Sequence, residues 1–503
     1  MIGSIDSISK QICCSNYISS EYFTKSKAIM TTFRLKNLLR VLIFFVSATT
    51  FAQTELKGTV ADFMTFMPIE NASVYIKNTT VGTITNADGK FALMVPEKNI
   101  SDTLVISSIG FRSYETAIND YENGTDIYLE EDVASLDEVV LVADNRPKTG
   151  NDIMVRTIER LPNNFPEEPY LQKGFLRHKE RNKKEYKWLI EAAITIYDSD
   201  YAAGAKNNLK INVDETRKSY DLRDVDSLFT FSAYLKSIGR GPKSGVISRN
   251  SVKTSALVDA IKWNDSRVNG LDNLFKGKLN LVRNAGAVGA LFGKNMLERH
   301  QFNLDTILVD DGRKLYKLKI TKGADYVGLS TPGIYNEGFE PQGWVYVYYD
   351  NYAIKKVEYE LIASSDIQKR RSKSLFATQN IHKLVVTYRE YNDKMYPNYI
   401  YYETPKLVNT GDRSSDRAKT ESEPGFDKDE QYYFTIQEIL FSDIIQDPEL
   451  IKEELRDNQW TADIFSPKPY NAEFWKNYNV LLESQEEEKL ILDLSKRATL
   501  FKE

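Results

Sequence analysis

The chain has 503 residues, enough for roughly two to four domains, and its 42% hydrophobic and 27% charged residues allow sizeable cores to form. Its formal charge of −5 offers no basic face, so no nucleic-acid partner is expected. Its 30 Tyr and 24 Phe residues favour half-buried, pleated surfaces and hence a mainly β fold.

The first segment has the three-part layout of a secretory signal peptide and is too short for a stable membrane span. An apolar core over residues 41–46 follows a basic flank and precedes small residues. The basic flank consists of Arg34, Lys36 and Arg40. Cleavage is expected between Ala52 and Gln53, and Met30 stands where such a signal peptide should start.

These features divide the N-terminal region into two parts. Residues 30–52 are assigned to the signal peptide and residues 1–29 to an over-extended gene start, with a true extension or a retained signal anchor as alternatives. Removing residues 1–52 takes away six basic and two acidic residues and leaves a formal charge of about −9. The sequence therefore predicts an exported protein of the periplasm or outer membrane.

The cysteines and the hydropathy of the remaining chain restrict it further. Cys13 and Cys14 both precede the cleavage site, so the mature protein is expected to have no disulfide and no thiolate metal site. No later segment offers about 20 consecutive apolar residues, and no transmembrane helix is predicted after signal removal.

Residues 54–131 alternate short strands with turn residues and predict a small antiparallel β-sandwich of immunoglobulin-like type. Gly89 is expected to supply the positive φ of a hairpin turn, next to a tolerant Asp88. A calcium loop would need more acidic ligands and a closing Glu, so a turn is the better interpretation. The predicted strands cover residues 56–60, 72–77, 81–85, 90–95, 103–107 and 126–129.

The same region resembles the carboxypeptidase regulatory-like domain, a transthyretin-like sandwich common at the N-terminus of Gram-negative outer-membrane receptors and related envelope proteins. The motif residues are Gly58, Pro68, Gly82, Asp88, Gly89, Phe91 and Gly110, followed by the exit segment 136–140. The resemblance implies a non-catalytic module that binds no cofactor. Residues 132–150 are expected to form a linker.

Sequence motifs of the common enzyme classes are missing. His178, His300 and His382 are far apart, and none belongs to an H-x-x-E or H-E-x-x-H motif, which argues against a zinc carboxypeptidase. Neither a G-x-S-x-G elbow nor a nucleotide-binding glycine motif is present. The chain is expected to be non-enzymatic and to hold no metal or cofactor; a hydrolase that uses carboxylates not yet located remains an alternative.

Residues 151–503 predict a larger α+β domain built on a curved antiparallel sheet with flanking helices. The predicted strands cover 174–177, 186–197, 305–309, 314–320, 343–349, 353–361, 382–388, 396–402 and 430–436. The predicted helices cover 151–161, 222–235, 271–281 and 486–500. Pro162 is expected to end the first helix. Residues 364–374 and 411–429 are expected to be polar loops.

Several segments of this domain keep two interpretations. The small apolar stretch 284–293 suits either a packed turn or a lipid-contacting lid. The basic run 369–373 suits either a solvated loop or a contact with anionic headgroups. The helix over 486–500 is expected to dock on the sheet through an apolar stripe, a partner-binding tail being the alternative. That stripe consists of Leu490, Ile491, Leu494 and Leu500.

Two resemblances concern this second domain. Its opening order of helix, Asn-Phe-Pro loop and paired strands resembles a group of uncharacterised envelope proteins that carry the same sandwich. Residues 343–358, with a strand, a turn and Ala-Ile-Lys-Lys-Val-Glu, resemble the half-barrel of periplasmic lipoprotein carriers. That resemblance implies an apolar ligand held between sheet and helices; an ordinary packed core is the alternative.

The favoured function is therefore that of a non-enzymatic exported envelope protein. It is expected to bind a partner protein or a lipidic or glycan ligand during outer-membrane biogenesis or uptake. The alternatives are the hydrolase described above and a module linked to TonB-dependent receptors through residues 136–140. The residues after this segment lack the sustained alternating strands of a receptor barrel.

Overall fold

A computed structural model describes most of the chain after the predicted signal peptide. The described residues are 54–132, 146–181, 186–200, 205–220, 259, 262, 270–276, 280, 281, 283, 291–322, 339–376, 378–410, 430–466, 468–485, 488, 492, 494 and 495. The signal peptide, the cleavage site at Ala52 and Gln53, the exit segment 136–140, the helix over 222–235 and the loop 411–429 lie outside them.

The N-terminal domain is a sandwich of two small sheets, in the strand orders β4-β1-β7 and β3-β2-β5-β6. Its strands are β1 (Thr54–Asp62), β2 (Ser73–Ile76), β3 (Gly82–Ile84), β4 (Lys90–Val95), β5 (Thr103–Ser107), β6 (Tyr114–Ala117) and β7 (Thr125–Leu129). Strict alternation of buried and half-buried side chains in β4 turns Phe91, Leu93 and Val95 into the core. The pair β1–β7 departs from the expected antiparallel pattern, because these two strands run parallel.

The hairpin between β3 and β4 has the predicted positive φ. Gly89 has φ of +72°, and a Cβ at this position would lie 2.3 Å from the carbonyl oxygen of Val60. The turn is closed by Asn86, whose Oδ1 accepts hydrogen bonds from the backbone nitrogens of Asp88 and Lys90 at 3.0 and 2.9 Å. Glycine is therefore required here both by conformation and by space.

Other motif residues of the sandwich serve close packing. A Cβ added to Gly58 would lie 2.8 Å from the ring of Phe91, which fills the core at 1% exposure. A Cβ on Gly82 would lie 3.0 Å from the carbonyl oxygen of Val74 on the neighbouring strand. Pro68 packs against Gly89. These positions allow close contacts between neighbouring strands of each sheet and at the β3–β4 turn, and their side chains offer no polar group for chemistry.

The second domain is built on one ten-stranded sheet in the order β10-β9-β8-β17-β16-β15-β14-β13-β12-β11. Its strands are β8 (Tyr170–Arg181), β9 (Tyr186–Asp198), β10 (Lys210–Tyr220), β11 (Gln301–Asp310), β12 (Arg313–Lys322), β13 (Phe339–Tyr348), β14 (Ile354–Ala363), β15 (Asn380–Tyr391), β16 (Lys394–Thr410) and β17 (Glu430–Ile445). All of its adjacent pairs are antiparallel. The predicted fold class, mainly β with a small sandwich and a large antiparallel sheet, is confirmed.

The described helices lie around this sheet. They are α1 (Gly150–Asn164), α2 (Ala205–Asn208), α3 (Leu271–Lys276), α4 (Asp366–Phe376), α5 (Pro448–Asp457) and α6 (Ala472–Lys476). Within the described residues, no helix is both long and apolar enough to cross a membrane. Leu494 of the predicted C-terminal stripe is 2% exposed, while Leu490, Ile491 and Leu500 lie outside the described residues.

Two predictions about helices are wrong. Pro162 does not end α1, because in the last turn it removes only the hydrogen bond to the carbonyl of Ile158, and the helix closes with Phe165 N donating to Leu161 O at 3.2 Å. Residues 364–374 are not a loop, since α4 occupies most of them. Lys, Arg and Gln are good helix formers, and without an apolar stripe the helix has no periodic signal.

The main core lies on one face of the large sheet, called the inner face below. Ile153 and Met154 of α1, Phe275 of α3 and Phe292 pack there against alternate residues of the strands. The opposite, outer face carries a smaller aromatic cluster with Phe175 and residues of the C-terminal segment 470–485. The sheet is thus covered on both faces where β8, β9 and β17 lie.

Candidate functional site

The sandwich is docked on the second domain through two sets of contacts, together called the junction. At one end Gly110, with φ of +89°, donates its N–H to the carbonyl of Val309 at 2.7 Å, and Tyr75 Oη donates to Asp311 at 3.3 Å. At the other, the Asp88 carboxylate accepts from the backbone nitrogen of Gln485 at 2.7 Å. The family motif residues Asp88 and Gly110 therefore hold the two domains together.

The junction also has an apolar part. Ile84 of β3, 4% exposed, packs with Phe175, Leu440, Trp475 and other residues of the outer-face cluster. This contact buries a sandwich side chain in the core of the second domain. The sandwich and the sheet therefore share a packed apolar interface.

Between the two domains the junction leaves a partly open cavity of about 220 Å³. Its lining is largely polar, with hydroxyl, amide, ammonium and carboxylate groups. The sandwich contributes Glu70, Asn71, Ser73, Ser107, Ser108 and Ile109, and the sheet contributes Leu308, Asp310, Lys317, Tyr346, Lys355, Lys356 and Thr387. We call this space the junction cavity.

The lysines of the junction cavity are paired with carboxylates. Lys355 Nζ lies 3.1 Å from Asp310 Oδ2, and Lys356 Nζ lies 2.5 Å from Glu358 Oε1. Lys317 Nζ lies 3.7 Å from a carboxylate oxygen of Asp305. The cavity wall therefore offers fixed donors and acceptors with little uncompensated charge.

Two tyrosines donate hydrogen bonds to carboxylates here: Tyr346 lines the cavity, and Tyr348 holds the lining residue Asp310. Tyr348 Oη donates to the buried Asp310 at 2.7 Å, and Tyr346 Oη donates to Glu358 at 3.2 Å. Burial, together with the neighbouring carboxylate, raises the pKa of both phenols above the ordinary value. Asp310 is held by a lysine and a tyrosine at once, which orients it as a fixed acceptor.

A second, apolar pocket of about 60 Å³ lies on the inner face of the sheet. It is lined by Phe165, Pro166, Tyr170, Gln172, Ile196, Asp198, Leu209, Leu274, Phe275, Asn280, Leu281, Arg283, Val386, Tyr388, Pro397, Ile400 and Phe441. Its one ion pair joins Arg283 to Asp198, with Nε donating to Oδ2 at 3.1 Å and a further contact between Nη2 and Oδ1. The pocket is far smaller than the range of about 300–1,000 Å³ typical of drug-sized ligands.

The three histidines are buried, at 0%, 0% and 1% exposure for His178, His300 and His382. His178 and His382 share the inner face but lie on β8 and β15, with two strands between them. His382 Nδ1 lies 2.7 Å from Thr404 Oγ1. Among the described residues no group of three or more His, Cys, Asp or Glu side chains is arranged to hold a metal ion.

Burial lowers the pKa of His382 to about 3. Between this value and the unfolded value of about 6.5, the unfolded chain binds a proton that the folded chain does not, so stability rises with pH. We expect wild-type protein to lose about 2 kcal/mol of unfolding free energy through His382 between about pH 7.5 and about pH 5. Urea unfolding at both pH values should show a loss about 2 kcal/mol larger in the wild type than in His382→Gln, and equal losses would contradict this expectation.

Comparisons with known proteins agree on the N-terminal domain. Residues 56–141 match the family described as CarboxypepD_reg-like domain, which confirms the resemblance. The chain is also 38% identical over 112 residues to the TonB-dependent receptor SusC of Bacteroides thetaiotaomicron. That match spans 22% of this chain and 10% of the receptor, so the chain covers about a tenth of the receptor's length.

Two solved structures show a weaker likeness. A LolA superfamily protein from Nitrosomonas europaea aligns with 61% of this chain and 97% of its own, at 11% identity and a TM-score of 0.21. A putative outer membrane lipoprotein-sorting protein domain from Vibrio parahaemolyticus aligns with 61% of this chain and 97% of its own, at 10% identity and a TM-score of 0.21. A TM-score of this size is too low to assign the fold of the large sheet.

Proposed function

We propose that this protein is an exported, non-catalytic envelope protein that binds a neutral polar ligand, a sugar unit of a glycan, in the junction cavity. The observation that carries the proposal is the polar cavity of about 220 Å³ between the sandwich and the sheet. This volume is below the range of about 300–1,000 Å³ for drug-sized ligands, so it suits one sugar ring at the end of a longer chain.

The charge of the wall favours a neutral ligand over an anion. Each of the three lysines, Lys317, Lys355 and Lys356, already faces a carboxylate within 4 Å. An anionic ligand would have to compete with those carboxylates and would meet Glu70 and Asp310 in the same wall. A sugar, with hydroxyls that donate and accept, can instead bridge the fixed donors and acceptors.

The position of the cavity favours binding over catalysis. Its buried carboxylate, Asp310, is held by Lys355 at 3.1 Å and by Tyr348 at 2.7 Å, which leaves it oriented as a hydrogen-bond acceptor. Export, expected from the signal peptide, and the adaptor-type sandwich agree with a role in glycan capture or hand-over at the envelope.

We expect the mature protein to bind neutral hexasaccharides and Ser73→Phe to weaken that binding. Ser73 lines the cavity from β2, and a phenyl ring there occupies the space of a sugar. Calorimetry with hexamers of glucose, mannose and N-acetylglucosamine should show binding by wild type, weakened at least about tenfold in Ser73→Phe. The matched control is Ala117→Phe, on the exposed edge of the same sandwich, which should bind like wild type.

Absence of binding to every hexamer, or equal binding by Ser73→Phe, would overturn the proposal. Cleavage of a hexamer during the titration would instead establish the hydrolase alternative. A lipidic ligand is the second candidate because the inner-face pocket is apolar, and its volume of about 60 Å³ would have to widen to admit an acyl chain. Saturable binding of a fluorescent fatty acid by wild-type protein, lost in Leu274→Trp, would support that candidate.

A further inference from the structure

The loop that follows β1 exposes a cluster of large apolar side chains, here called the sandwich tip (residues 63–67). Phe63 is 50% exposed, Met64 73%, Phe66 68% and Met67 65%, and Tyr128 of β7 beside them is 46% exposed. These account for five of the eleven exposed large hydrophobic residues in the part of the chain that the structure describes. Such clustering on a surface is characteristic of interaction sites.

The tip is held in this exposed conformation by its own hydrogen bonds. Asp62 Oδ1 accepts from the backbone nitrogen of Met64 at 2.8 Å, and Asp62 O accepts from that of Phe66 at 2.8 Å. The nitrogen of Asp62 in turn donates to Met67 O at 3.0 Å. The loop is thus a closed turn whose apolar side chains point outward.

Backbone strain supports a functional reason for this geometry. Phe66 has φ of +57°, in the left-handed region that a bulky residue rarely adopts. Its ring meets Tyr128 edge to face, with 5.7 Å between centroids. The strain orients Phe66 along the outer surface of the sandwich, where it extends the apolar surface of Tyr128 and does not enter the core.

The residues around the tip define what can dock there. Phe63 N donates to Leu129 O at 2.9 Å, so the tip lies beside the end of β7. This end carries the carboxylates Glu130, Glu131 and Asp132. Arg112 lies 3.3 Å from one of them, Glu130, and residues 126–132 include no basic residue.

We propose that the sandwich tip docks into an apolar pocket on a partner protein and that Lys and Arg side chains of the partner surround this pocket. Aromatic residues and Met are enriched in the centres of protein interfaces, and unbranched Met adapts to an uneven pocket. The carboxylates beside the tip disfavour an anionic lipid surface and complement a basic protein surface. This proposal stands on the tip alone and does not depend on the junction cavity.

The test places a photo-reactive benzoylphenylalanine at position 66 of the full chain in its native cells. A discrete cross-linked product is expected from position 66 and not from position 367, an equally exposed apolar position on α4. The charge reversal Glu130→Lys/Glu131→Lys should lower the yield about tenfold, while Glu449→Lys/Glu453→Lys on α5 should leave it unchanged. Equal yields from positions 66 and 367, or a yield that the first reversal does not change, would overturn the proposal.

A membrane surface is tested separately. Purified protein is floated with vesicles of phosphatidylcholine and of phosphatidylcholine with phosphatidylglycerol, and neither should carry it. Flotation that Met64→Ser/Met67→Ser abolishes would overturn the proposal in favour of lipid insertion. Both side chains are exposed, so this variant should unfold at the wild-type midpoint. Its cross-linking yield from position 66 should decrease, as in the Glu130→Lys/Glu131→Lys variant.

Discussion

Replacing Glu191 by alanine should lower the free energy of unfolding by about 3–5 kcal/mol. The carboxylate of Glu191 has 0% exposure and lies between two guanidinium groups, 2.8 Å from Arg177 Nε and 2.6 Å from Arg217 Nε. Removing it leaves two like charges together, one of them with a side chain only 3% exposed. Neither arginine can shed its proton at ordinary pH, so the cost is not relieved by titration.

Urea unfolding of Glu191→Ala measures this effect, with Glu159→Ala as the control for an exposed ion pair. Glu159 pairs with Arg156 at 2.9 Å on the exposed face of α1, where both side chains are more than half exposed, and its loss should cost less than about 1 kcal/mol. Similar losses in the two variants would show that the buried network contributes no more than a surface pair. Arg177 Nη2 also donates to Leu481 O at 2.8 Å, so the variant should loosen the C-terminal segment first.

Replacing Ile84 by alanine should cost about 2–5 kcal/mol and separate the unfolding of the two domains. Ile84 belongs to the sandwich by sequence but packs in the cluster of Phe175, Trp475 and Leu481 on the outer face of the sheet. Its truncation leaves a cavity at the junction and not inside either domain. Calorimetry should therefore show one transition for wild type and two for Ile84→Ala.

The matched control is Val74→Ala in the neighbouring strand β2. Val74 is fully buried in the sandwich's own core, so its truncation should weaken the sandwich without a comparable loss of docking contacts. The ratio of calorimetric to van't Hoff enthalpy distinguishes the variants, because it departs from one only where the domains unfold separately. A single transition in Ile84→Ala would mean that the polar contacts of the junction suffice to couple them.

Most strands could be predicted because their alternation is strong and one face is buried. Residues 90–95 read Lys-Phe-Ala-Leu-Met-Val, and the structure buries every second one. β6 was missed because its side chains are exposed or half-exposed and leave no alternation to detect. β10 was missed because residues 210–220 are mostly polar and contain too few apolar residues to show an alternating pattern. α5 was missed although Asp447 and Pro448 supply a capping residue and a first-turn proline.

The candidate site could not be predicted in the same way. Asp310 and Lys355 look in the sequence like solvent-facing residues at strand ends, and only the docked sandwich encloses them. The contact between Tyr75 and Asp311 joins residues 236 positions apart, which no local pattern specifies. The motif residues Asp88 and Gly110 were the available signals, since both make hydrogen bonds across the junction. Assignment of Ala52 and Gln53 to the cleavage site stays a prediction.

The order of the large sheet has a consequence for how the chain folds. β8, the first strand of the sheet, pairs with β17, the last, and Thr435 and Glu180 meet across this seam at a separation of 255 residues. β8–β10 and β11–β17 can each assemble through neighbouring strands, but the seam requires closure of a long loop, which slows folding. Until the final strand arrives, β8 presents an open edge to other chains, so the half-assembled sheet is the state in which aggregation competes with folding.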